Sequence, residues 1–393
     1  MSIHNISNAI DQALTAAGLN TRIGTANAVL ETIRNALQAA RVAQHPGDTS
    51  PTAAKTALET DVIDVDVVDV DVRLVDPDAA GESLSPTAQG GQFLSLAYSS
   101  PLGSRDYKLY VPGSYKGGAP MPLVVMLHGC NQDPDDFARG TRINDVAEEQ
   151  GFLVAYPAQS NKANWSSCWN WFEPEHQARD GAEPSIIVGI VREISNAYRV
   201  DERSVFVAGL SAGAAMAVIL GDTHPDVFTA VAAHSGLPHG AAHNVPSAVA
   251  AMRGAVQPRA TAIEPRADAP AASRAVPTIV FHGDRDATVV PNNGAGIVQQ
   301  AVSKLASERG TLTQQVEQRE ANGRRCTRTT HVDPDGLPVV EQWTVQGGGH
   351  AWFGGSSAGS FTESQGPDAS RETMRFFYSH VKRESAAPLF AAA

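Results

Sequence analysis

The chain has 393 residues, 42% of them hydrophobic, which is enough for one large α/β domain with an appendage or for two modest domains. Its formal net charge of -12 offers no basic surface for phosphate backbones, so we expect no nucleic-acid partner. No apolar run approaches the roughly 18 residues of a membrane span. The start, MSIHNISNAIDQAL, lacks the basic and apolar regions of a signal peptide, and the sequence therefore favours a cytoplasmic protein.

The three cysteines, Cys130, Cys168 and Cys326, match no zinc ligand spacing. In a reducing cytosol we expect all of them to be free thiols. A disulfide between Cys130 and Cys168 is the alternative, and it requires that the protein be secreted by a route without a recognisable signal peptide.

The first ninety residues divide into two segments of different composition. Residues 1–44 carry apolar side chains at helical spacing and predict two short amphipathic helices. Such an arm packs on its own domain or dimerises, or it is an adsorption segment for an apolar surface. Residues 45–90 contain the passage DVIDVDVVDVDVRLVD, in which a file of Asp on one face would repel itself. We therefore expect an exposed acidic linker there rather than a strand or a calcium site.

Residues 91–385 are typical of a compact α/β domain. Two alternating segments, QFLSLAYSS and RDYKLYVPG, predict an antiparallel pair at a sheet edge. Apolar runs without alternation indicate buried parallel strands, and helical stretches lie between them; these runs are PLVVMLHG, GFLVAYP, SVFVAGL, FTAVAAHSG and VPTIVFHG. The alternation predicts a mostly parallel sheet with helices on both faces. Residues 240–276, rich in Ala and Pro, predict an insertion or lid.

The stretch VFVAGLSAG places Ser211 between two glycines, where a strand turns directly into a helix. Such a bend forces its apex into strained backbone angles, and Gly209 and Gly213 remove side chains that would clash. This predicts Ser211 as an exposed nucleophile, with the Ala212 amide directed at a developing oxyanion. The pattern GxSxG alone is weak, and the alternative is a tight turn with a buried serine.

A catalytic serine needs an orienting acid, and in α/β-hydrolases the chain order is Ser, then Asp or Glu, then His. The segment VPTIVFHGDRDATVVP ends a buried strand in a glycine turn and offers Asp284 and Asp286. We prefer Asp286 because Val289 and Pro291 close the loop behind it. Asp284 is expected to brace the loop.

For the base, His350 in VQGGGHAWFGG lies among glycines that permit an exposed loop and close approach to a substrate. His331 and His380 follow Ser211 as well, the first in a polar strand-like stretch and the second on the last helix. Both are interpreted as ordinary surface histidines, which leaves His350 as the predicted base.

The segment LVVMLHGCNQDPDDF supplies the second oxyanion donor, the amide of Cys130, to pair with that of Ala212. A thiol nucleophile at Cys130 is the competing hypothesis, and we discount it because Ser211 already holds the strand-to-helix bend. His128 and Gln132 are expected to brace the loop.

Aromatic residues cluster in NWSSCWNWF and again after His350. Because both loops are expected at the active-site edge, we predict a hydrophobic substrate wall formed by Trp169, Trp171 and Trp352. Plain packing is the alternative.

Five motifs in this order, LHGCNQ, SCWNWF, GLSAG, HGDRDATVV and GGGHAW, resemble the polyhydroxybutyrate depolymerase family of esterases, relatives of feruloyl and acetylxylan esterases. The resemblance covers residues 92–382. It implies an α/β-hydrolase fold, Ser211 as nucleophile, Asp286 as acid, His350 as base and the two amides as oxyanion hole. It implies no metal and no cofactor.

Family members that attack extracellular polymer are secreted and often carry a substrate-binding domain. Since neither feature is found in this sequence, we expect an intracellular-type depolymerase acting on storage granules, with residues 1–44 as a granule-adsorbing segment. An esterase of feruloyl, acetylxylan or small esters is the second hypothesis. A granule-associated interaction protein is the third, and the intact set of catalytic residues argues against it.

Overall fold

A computed structural model describes residues 90–255 and 274–381. The predicted helical arm of residues 1–44, the acidic linker up to residue 89 and the middle of the predicted insertion, residues 256–273, lie outside the described residues. The domain boundaries therefore stay predictions. No helix within the described ranges is long and apolar enough to cross a membrane.

The central sheet has ten strands in the order β1-β2-β4-β3-β5-β6-β7-β10-β9-β8. The strands of this sheet are β1 (Gln92–Ser100), β2 (Gly103–Val111), β3 (Met121–Leu127), β4 (Leu153–Pro157), β5 (Val200–Leu210), β6 (Ala230–His234), β7 (Thr278–Gly283), β8 (Thr313–Ala321), β9 (Arg324–Val332) and β10 (Pro338–Val345). Two short strands, β11 (Trp352–Phe353) and β12 (Thr362–Glu363), pair in parallel beside it.

Six neighbouring strands, β4, β3, β5, β6, β7 and β10, run parallel. All five apolar runs of the sequence form strands of this parallel part, and β3, β4, β5, β6 and β7 are buried over most or all of their length because helices cover both faces. The hairpin β1–β2 adds an antiparallel edge, as predicted. The opposite edge, β8 and β9, is also antiparallel and was not predicted.

Helices lie on both faces of the sheet, which confirms the predicted layers. They are α1 (Pro134–Thr141), α2 (Ile143–Gln150), α3 (Ala182–Ala197), α4 (Ala212–Thr223), α5 (Val245–Met252), α6 (Asn292–Arg309) and α7 (Ala369–Ser379), with one 3₁₀ turn, Pro174–His176. The core cluster on one face draws on α3, α4 and α6, and the cluster on the other face on α1, α2 and α7. The predicted insertion contains α5.

The strand order reverses between β3 and β5. From β3 the chain proceeds to β4 on one side, whereas from β5 it proceeds through β6 and β7 on the other. In open parallel sheets the crevice at such a reversal, outside the carboxyl ends of the strands, is the usual ligand site. The loop after β3 and the turn after β5 both lie at this crevice, and Leu127 pairs with Gly209 just before them.

Candidate active site

Ser211 is the single residue between strand β5 and helix α4, and its backbone is strained. Its φ of 58° and ψ of -119° lie outside the backbone regions that residues other than glycine ordinarily occupy. A Cβ at Gly209 would lie 2.4 Å from the carbonyl carbon of Gly213, and a Cβ at Gly213 would lie 2.0 Å from the Leu127 carbonyl oxygen. The two flanking positions can therefore hold only glycine, as the sequence indicated.

The surroundings of Ser211 leave its side chain accessible. Its amide donates to the His234 carbonyl oxygen at 2.9 Å, which fixes the bend to the end of strand β6. The residue is half-buried, whereas the Ala212 that follows is buried. As the first residue of α4, Ala212 has an amide without an intrahelical acceptor, and the helix dipole adds positive potential there.

Asp286 and His350 come together from the loops after β7 and β10. The His350 Nδ1 lies 2.8 Å from Asp286 Oδ2. Asp286 is 3% exposed, and its other oxygen accepts the amides of Thr288 and Val289, both at 2.9 Å. These bonds fix the carboxylate so that one oxygen remains for the imidazole.

The charge state of Asp286 follows from these contacts. Burial alone would raise its pKa, but the charge of His350 and hydrogen bonds from His282 and His350 outweigh burial and hold the pKa well below its ordinary value. Asp286 is therefore ionised across the physiological range. A carboxylate on Nδ1 holds the proton there and leaves Nε2 as the free base.

Two residues next to this pair also contribute: Asp284 confirms a prediction, and His282 was not predicted. Asp284 accepts the Gly347 amide at 2.6 Å and so braces the loop that carries His350, as expected. His282 lies 3.4 Å from Asp286 through its Nε2, which also contacts the Val289 carbonyl at 2.7 Å. His282 was not predicted, although it stands next to the glycine turn that indicates the acid.

The loop after β3 is held in one orientation. His128 Nε2 accepts the Gln159 amide at 3.1 Å, so its Nδ1 carries the proton and donates to the Gly129 carbonyl at 2.8 Å. Gln132 accepts the Gly129 amide at 2.9 Å. Both residues brace the loop, as predicted. Burial lowers the pKa of His128, and the hydrogen bond to the Gly129 carbonyl only partly opposes this effect. The lowered pKa keeps this histidine neutral.

The orientation of the Gly129–Cys130 peptide determines where the Cys130 amide points. Because a trans peptide is planar, its N–H points opposite to its carbonyl, which faces His128. Among the described residues, no group accepts a hydrogen bond from the Cys130 amide. A Cβ at Gly129 would lie 3.5 Å from the Ser211 Cβ, so this peptide adjoins the serine. The arrangement suits the predicted pairing of the Cys130 and Ala212 amides.

Cys130 and Cys168 form a disulfide, and the expectation of three free thiols is therefore wrong. The backbones approach to a Cα separation of 4.2 Å because the amide of Asn131 donates to the Ser166 carbonyl at 2.7 Å. With its sulfur bonded, Cys130 has no thiol to act as a nucleophile. Cys326 is free and buried.

The predicted substrate wall of Trp169, Trp171 and Trp352 is wrong, because all three indoles are buried. Trp169 and Trp352 are at most 1% exposed and Trp171 is 6% exposed. The Trp169 indole donates to the His128 carbonyl at 3.1 Å, and Trp352 donates to Ser370 at 3.2 Å. These rings pack in the hydrophobic core beneath the two loops and support them from behind. Trp165, in the same motif as Trp169, is 63% exposed.

Of the two histidines interpreted as surface residues, His380 is buried and the interpretation is wrong for it. His380 is 7% exposed, and burial lowers its pKa to about 4. His331 is half-buried on β9. His234, which follows an apolar run and was not singled out, is buried in a stack with Phe281 and Trp352. Burial, and then the charges of His282 and His350, lower its pKa far below the ordinary value.

Metal ligands can be assembled at one place in the described part of the chain. Glu173, Glu175 and His176 bring three potential ligand atoms within 4.8 Å of one another. The side chains of Glu173 and Glu175 are 43% and 75% exposed, as acidic groups on a turn commonly are. This cluster belongs to the 3₁₀ turn and contributes no side chain to the arrangement around Ser211.

Comparison with known proteins identifies the family of this chain. A family model described as Esterase PHB depolymerase matches residues 105–324, which is more than half of the chain. The chain belongs to this family. Poly(3-hydroxyalkanoate) depolymerase C of Paucimonas lemoignei is 31% identical over 61% of this chain and 57% of its own length. Feruloyl esterase B of Neurospora crassa is 34% identical over 36% of this chain and 47% of its own.

The chain spans about half of the length of the curated relatives that it matches in this esterase family. Among solved structures, an acetyl xylan esterase from Aspergillus awamori superposes with a TM-score of 0.55 at 19% identity, over 74% of this chain and 100% of its own. This likeness concerns the fold, and it agrees with the predicted α/β-hydrolase architecture.

Proposed function

We propose that the protein is a serine esterase that hydrolyses carboxylic esters through Ser211, His350 and Asp286. The observation that carries the proposal is the strained bend at Ser211, with a φ of 58°. It lies at the carboxyl ends of the parallel strands, as does the His350–Asp286 pair, whose atoms are 2.8 Å apart. Strain of this kind persists only where the surrounding structure imposes it, and it is concentrated at functional sites. Membership of the esterase family supports the same conclusion.

The chemistry proceeds in two steps. His350 Nε2 takes the proton of the Ser211 hydroxyl as the oxygen attacks the ester carbonyl, and the Cys130 and Ala212 amides stabilise the tetrahedral oxyanion. Protonated His350 then donates to the leaving alcohol, and an acyl-serine remains. Water, deprotonated by His350, releases the acid and restores the serine. No metal and no cofactor takes part in these steps.

For the substrate we propose poly(3-hydroxybutyrate) or its oligomers. The support is the similarity to Poly(3-hydroxyalkanoate) depolymerase C over 244 residues. Esters of the feruloyl or acetylxylan class are the second candidate, because Feruloyl esterase B is 34% identical over its shorter match of 142 residues. An interaction protein without catalysis would not require the strained serine, so this third hypothesis has the least support.

The decisive experiment combines a nucleophile variant with a substrate comparison. Ser211→Ala should lose nearly all activity on p-nitrophenyl butyrate, and retention of most activity would refute the assignment. Product analysis of the unaltered protein with amorphous polyhydroxybutyrate, methyl ferulate and acetylated xylan then identifies the ester class. Release of 3-hydroxybutyrate oligomers supports the first candidate, and activity confined to ferulate or acetate esters supports the second.

For the location we propose export to an oxidising compartment, the alternative to the cytoplasmic expectation. The Cys130–Cys168 disulfide supports export, because structural disulfides persist outside reducing compartments. Alkylation of thiols during lysis of the native host tests this. One free thiol per chain is expected, whereas three would indicate a reducing compartment and return the proposal to the cytoplasm.

A further inference from the structure

Phe361 lies in a backbone conformation that a bulky residue rarely adopts. Its φ is +52°, in the left-handed region that favours glycine. The ring is half-buried, and the segment between β11 and β12 that contains it has no part in the proposed chemistry. Backbone strain at a non-glycine residue is an observation from which a functional role can be argued.

Hydrogen bonds on both sides impose this conformation. The Phe361 carbonyl accepts the Trp352 amide at 2.7 Å. The amide and hydroxyl of the preceding Ser360 donate to the two oxygens of Asp136 at 3.0 and 2.5 Å. Behind them, a Cβ at Gly359 would lie 2.4 Å from the Gly140 Cα, so the segment is pressed against helix α1. The ring is thus held rigidly and not by its own packing alone.

The segment of Ser360 and Phe361 is also hydrogen-bonded to the loop that carries the Cys130 amide. Gln132 donates from its side-chain nitrogen to the Ser360 carbonyl at 3.0 Å, while its oxygen accepts the Gly129 amide at 2.9 Å. Gln132 is 5% exposed, so water does not compete for these bonds. Phe361 and the loop that carries the Cys130 amide are therefore held by one hydrogen-bond network, although Gln132 and Ser360 are 228 positions apart in the sequence.

The ring of Phe361 stands beside the predicted base. Its centroid is 6.3 Å from that of the His350 imidazole, with the planes at 81°, an edge-to-face contact. In the proposed reaction His350 protonates the leaving alcohol, while the carbonyl oxygen of the acyl group faces the amides of Cys130 and Ala212. A side chain next to His350 is therefore on the alcohol side of the scissile bond.

We propose that Phe361 is a specificity-determining residue that contacts the alcohol portion of the ester and favours alcohols with an apolar or aromatic face. The inference rests on the proposed serine esterase function. The strain is the cost of presenting an apolar ring where backbone geometry would otherwise place glycine or asparagine. Esters with a small alcohol make little use of this ring, and the acyl group makes none.

Two ester series test the inference with purified full-length protein. One keeps the butyryl group and varies the alcohol from ethyl to benzyl; the other keeps benzyl alcohol and varies the acyl group from acetyl to hexanoyl. Phe361→Ala and Phe361→Gly both remove the ring, but only the glycine relieves the strain. In both variants kcat/KM for benzyl butyrate should fall about tenfold, as for other lost apolar contacts, and that for ethyl butyrate less than twofold. Preference along the acyl series should not change.

Phe93→Ala serves as the matched control, because Phe93 is another half-buried phenylalanine, on β1 at the sheet edge, packed on Tyr110 and Tyr156. It should leave the benzyl-to-ethyl ratio unchanged. An equal loss on all esters in the Ala and Gly variants would overturn the inference in favour of support for His350. So would an unchanged ratio, or a change confined to the acyl series. Loss of activity in Ser211→Ala is independent of these ratios, so failure of the esterase proposal is recognised separately.

Discussion

Gly213→Ala should damage the active site from behind the serine. A Cβ at Gly213 would lie 2.0 Å from the Leu127 carbonyl oxygen and 2.6 Å from that of His128. Both obstacles are backbone, so neither can rotate away as a flexible side chain would. The first contact must open by about 1 Å to reach the 3.0 Å below which such contacts essentially never occur.

The magnitude of the effect follows from which groups this displacement separates. Leu127 ends β3 and leads into the Cys130 amide, whereas Gly213 belongs to the first turn of α4 with the Ala212 amide. Opening the contact therefore moves the two proposed oxyanion donors apart. A misplacement of 1 Å at reacting groups costs about 100-fold in rate. Overpacking should also lower the free energy of unfolding by roughly 1 to 3 kcal/mol.

Steady-state kinetics on p-nitrophenyl butyrate and urea unfolding measure the two effects side by side. We expect kcat to fall about 100-fold while KM changes little, because the oxyanion forms only after binding. Gly118→Ala is the control, since an added Cβ there has nothing within 4 Å and the site is exposed. If Gly213→Ala keeps kcat within twofold at unchanged stability, the bend does not set the donor geometry and the reasoning fails.

Four further outcomes are expected. Asp286→Asn should lower kcat about 10³- to 10⁴-fold, because an amide N–H toward His350 Nδ1 moves the imidazole proton to Nε2. The pKa of His380 is about 4 in the folded chain, so between pH 6.5 and 4 only the unfolded chain binds a proton there and the protein loses stability. In His380→Leu, about 3 kcal/mol of this acid-induced loss of unfolding free energy should disappear. Cys168→Ser opens a loop of sequence separation 38 and should cost about 3 to 4 kcal/mol of unfolding free energy. Deleting residues 1–44 should weaken binding to amorphous polyhydroxybutyrate but spare soluble esters.

Each of these outcomes has its own control. Asp284→Asn, which touches only a loop amide, should lower kcat far less than the change at Asp286. Urea midpoints at several pH values measure the His380 effect, and an unaltered pH slope would refute it. Cys326→Ser should leave the loop closed, and equal losses in the two cysteine variants would contradict the role of the disulfide. Equal polymer adsorption with and without residues 1–44 would end the adsorption hypothesis.

The parts of the fold that the sequence predicts are those fixed by local pattern. An unbroken apolar run predicts a buried strand because a strand with helices on both faces must be apolar throughout, as in β3 and β7. Strand β8, in contrast, is exposed along almost its whole length and contains mostly polar residues, so neither alternation nor apolarity marks it. Its partner β9 is mostly half-buried or buried, but its residues RRCTRTTHV are largely polar, so the sequence indicates a strand-like stretch there without its place in the sheet.

Within the site, the sequence identifies residues whose role depends on a bend or on chain order. The glycines around Ser211 mark a steric requirement that is visible within five residues, and Asp286 follows from the end of a buried strand. Burial is harder to infer, because an aromatic motif such as NWSSCWNWF suits a binding wall and a core equally. The structure separates its members: the exposed fraction of Trp169 is 0%, whereas that of Trp165 is 63%.

The remaining features depend on contacts between distant segments. The Gln132–Ser360 bond crosses 228 residues, and nothing in either local sequence indicates it. The disulfide is similar, since its two motifs were recognised separately and the expected compartment argued against joining them. The disulfide joins the loop that carries the Cys130 amide to the loop of the motif NWSSCWNWF, and the Gln132–Ser360 bond joins it to the segment of Phe361. A loop held from both sides can keep its peptide N–H unpaired and directed at the serine, and an oxyanion donor must have this property before the substrate arrives.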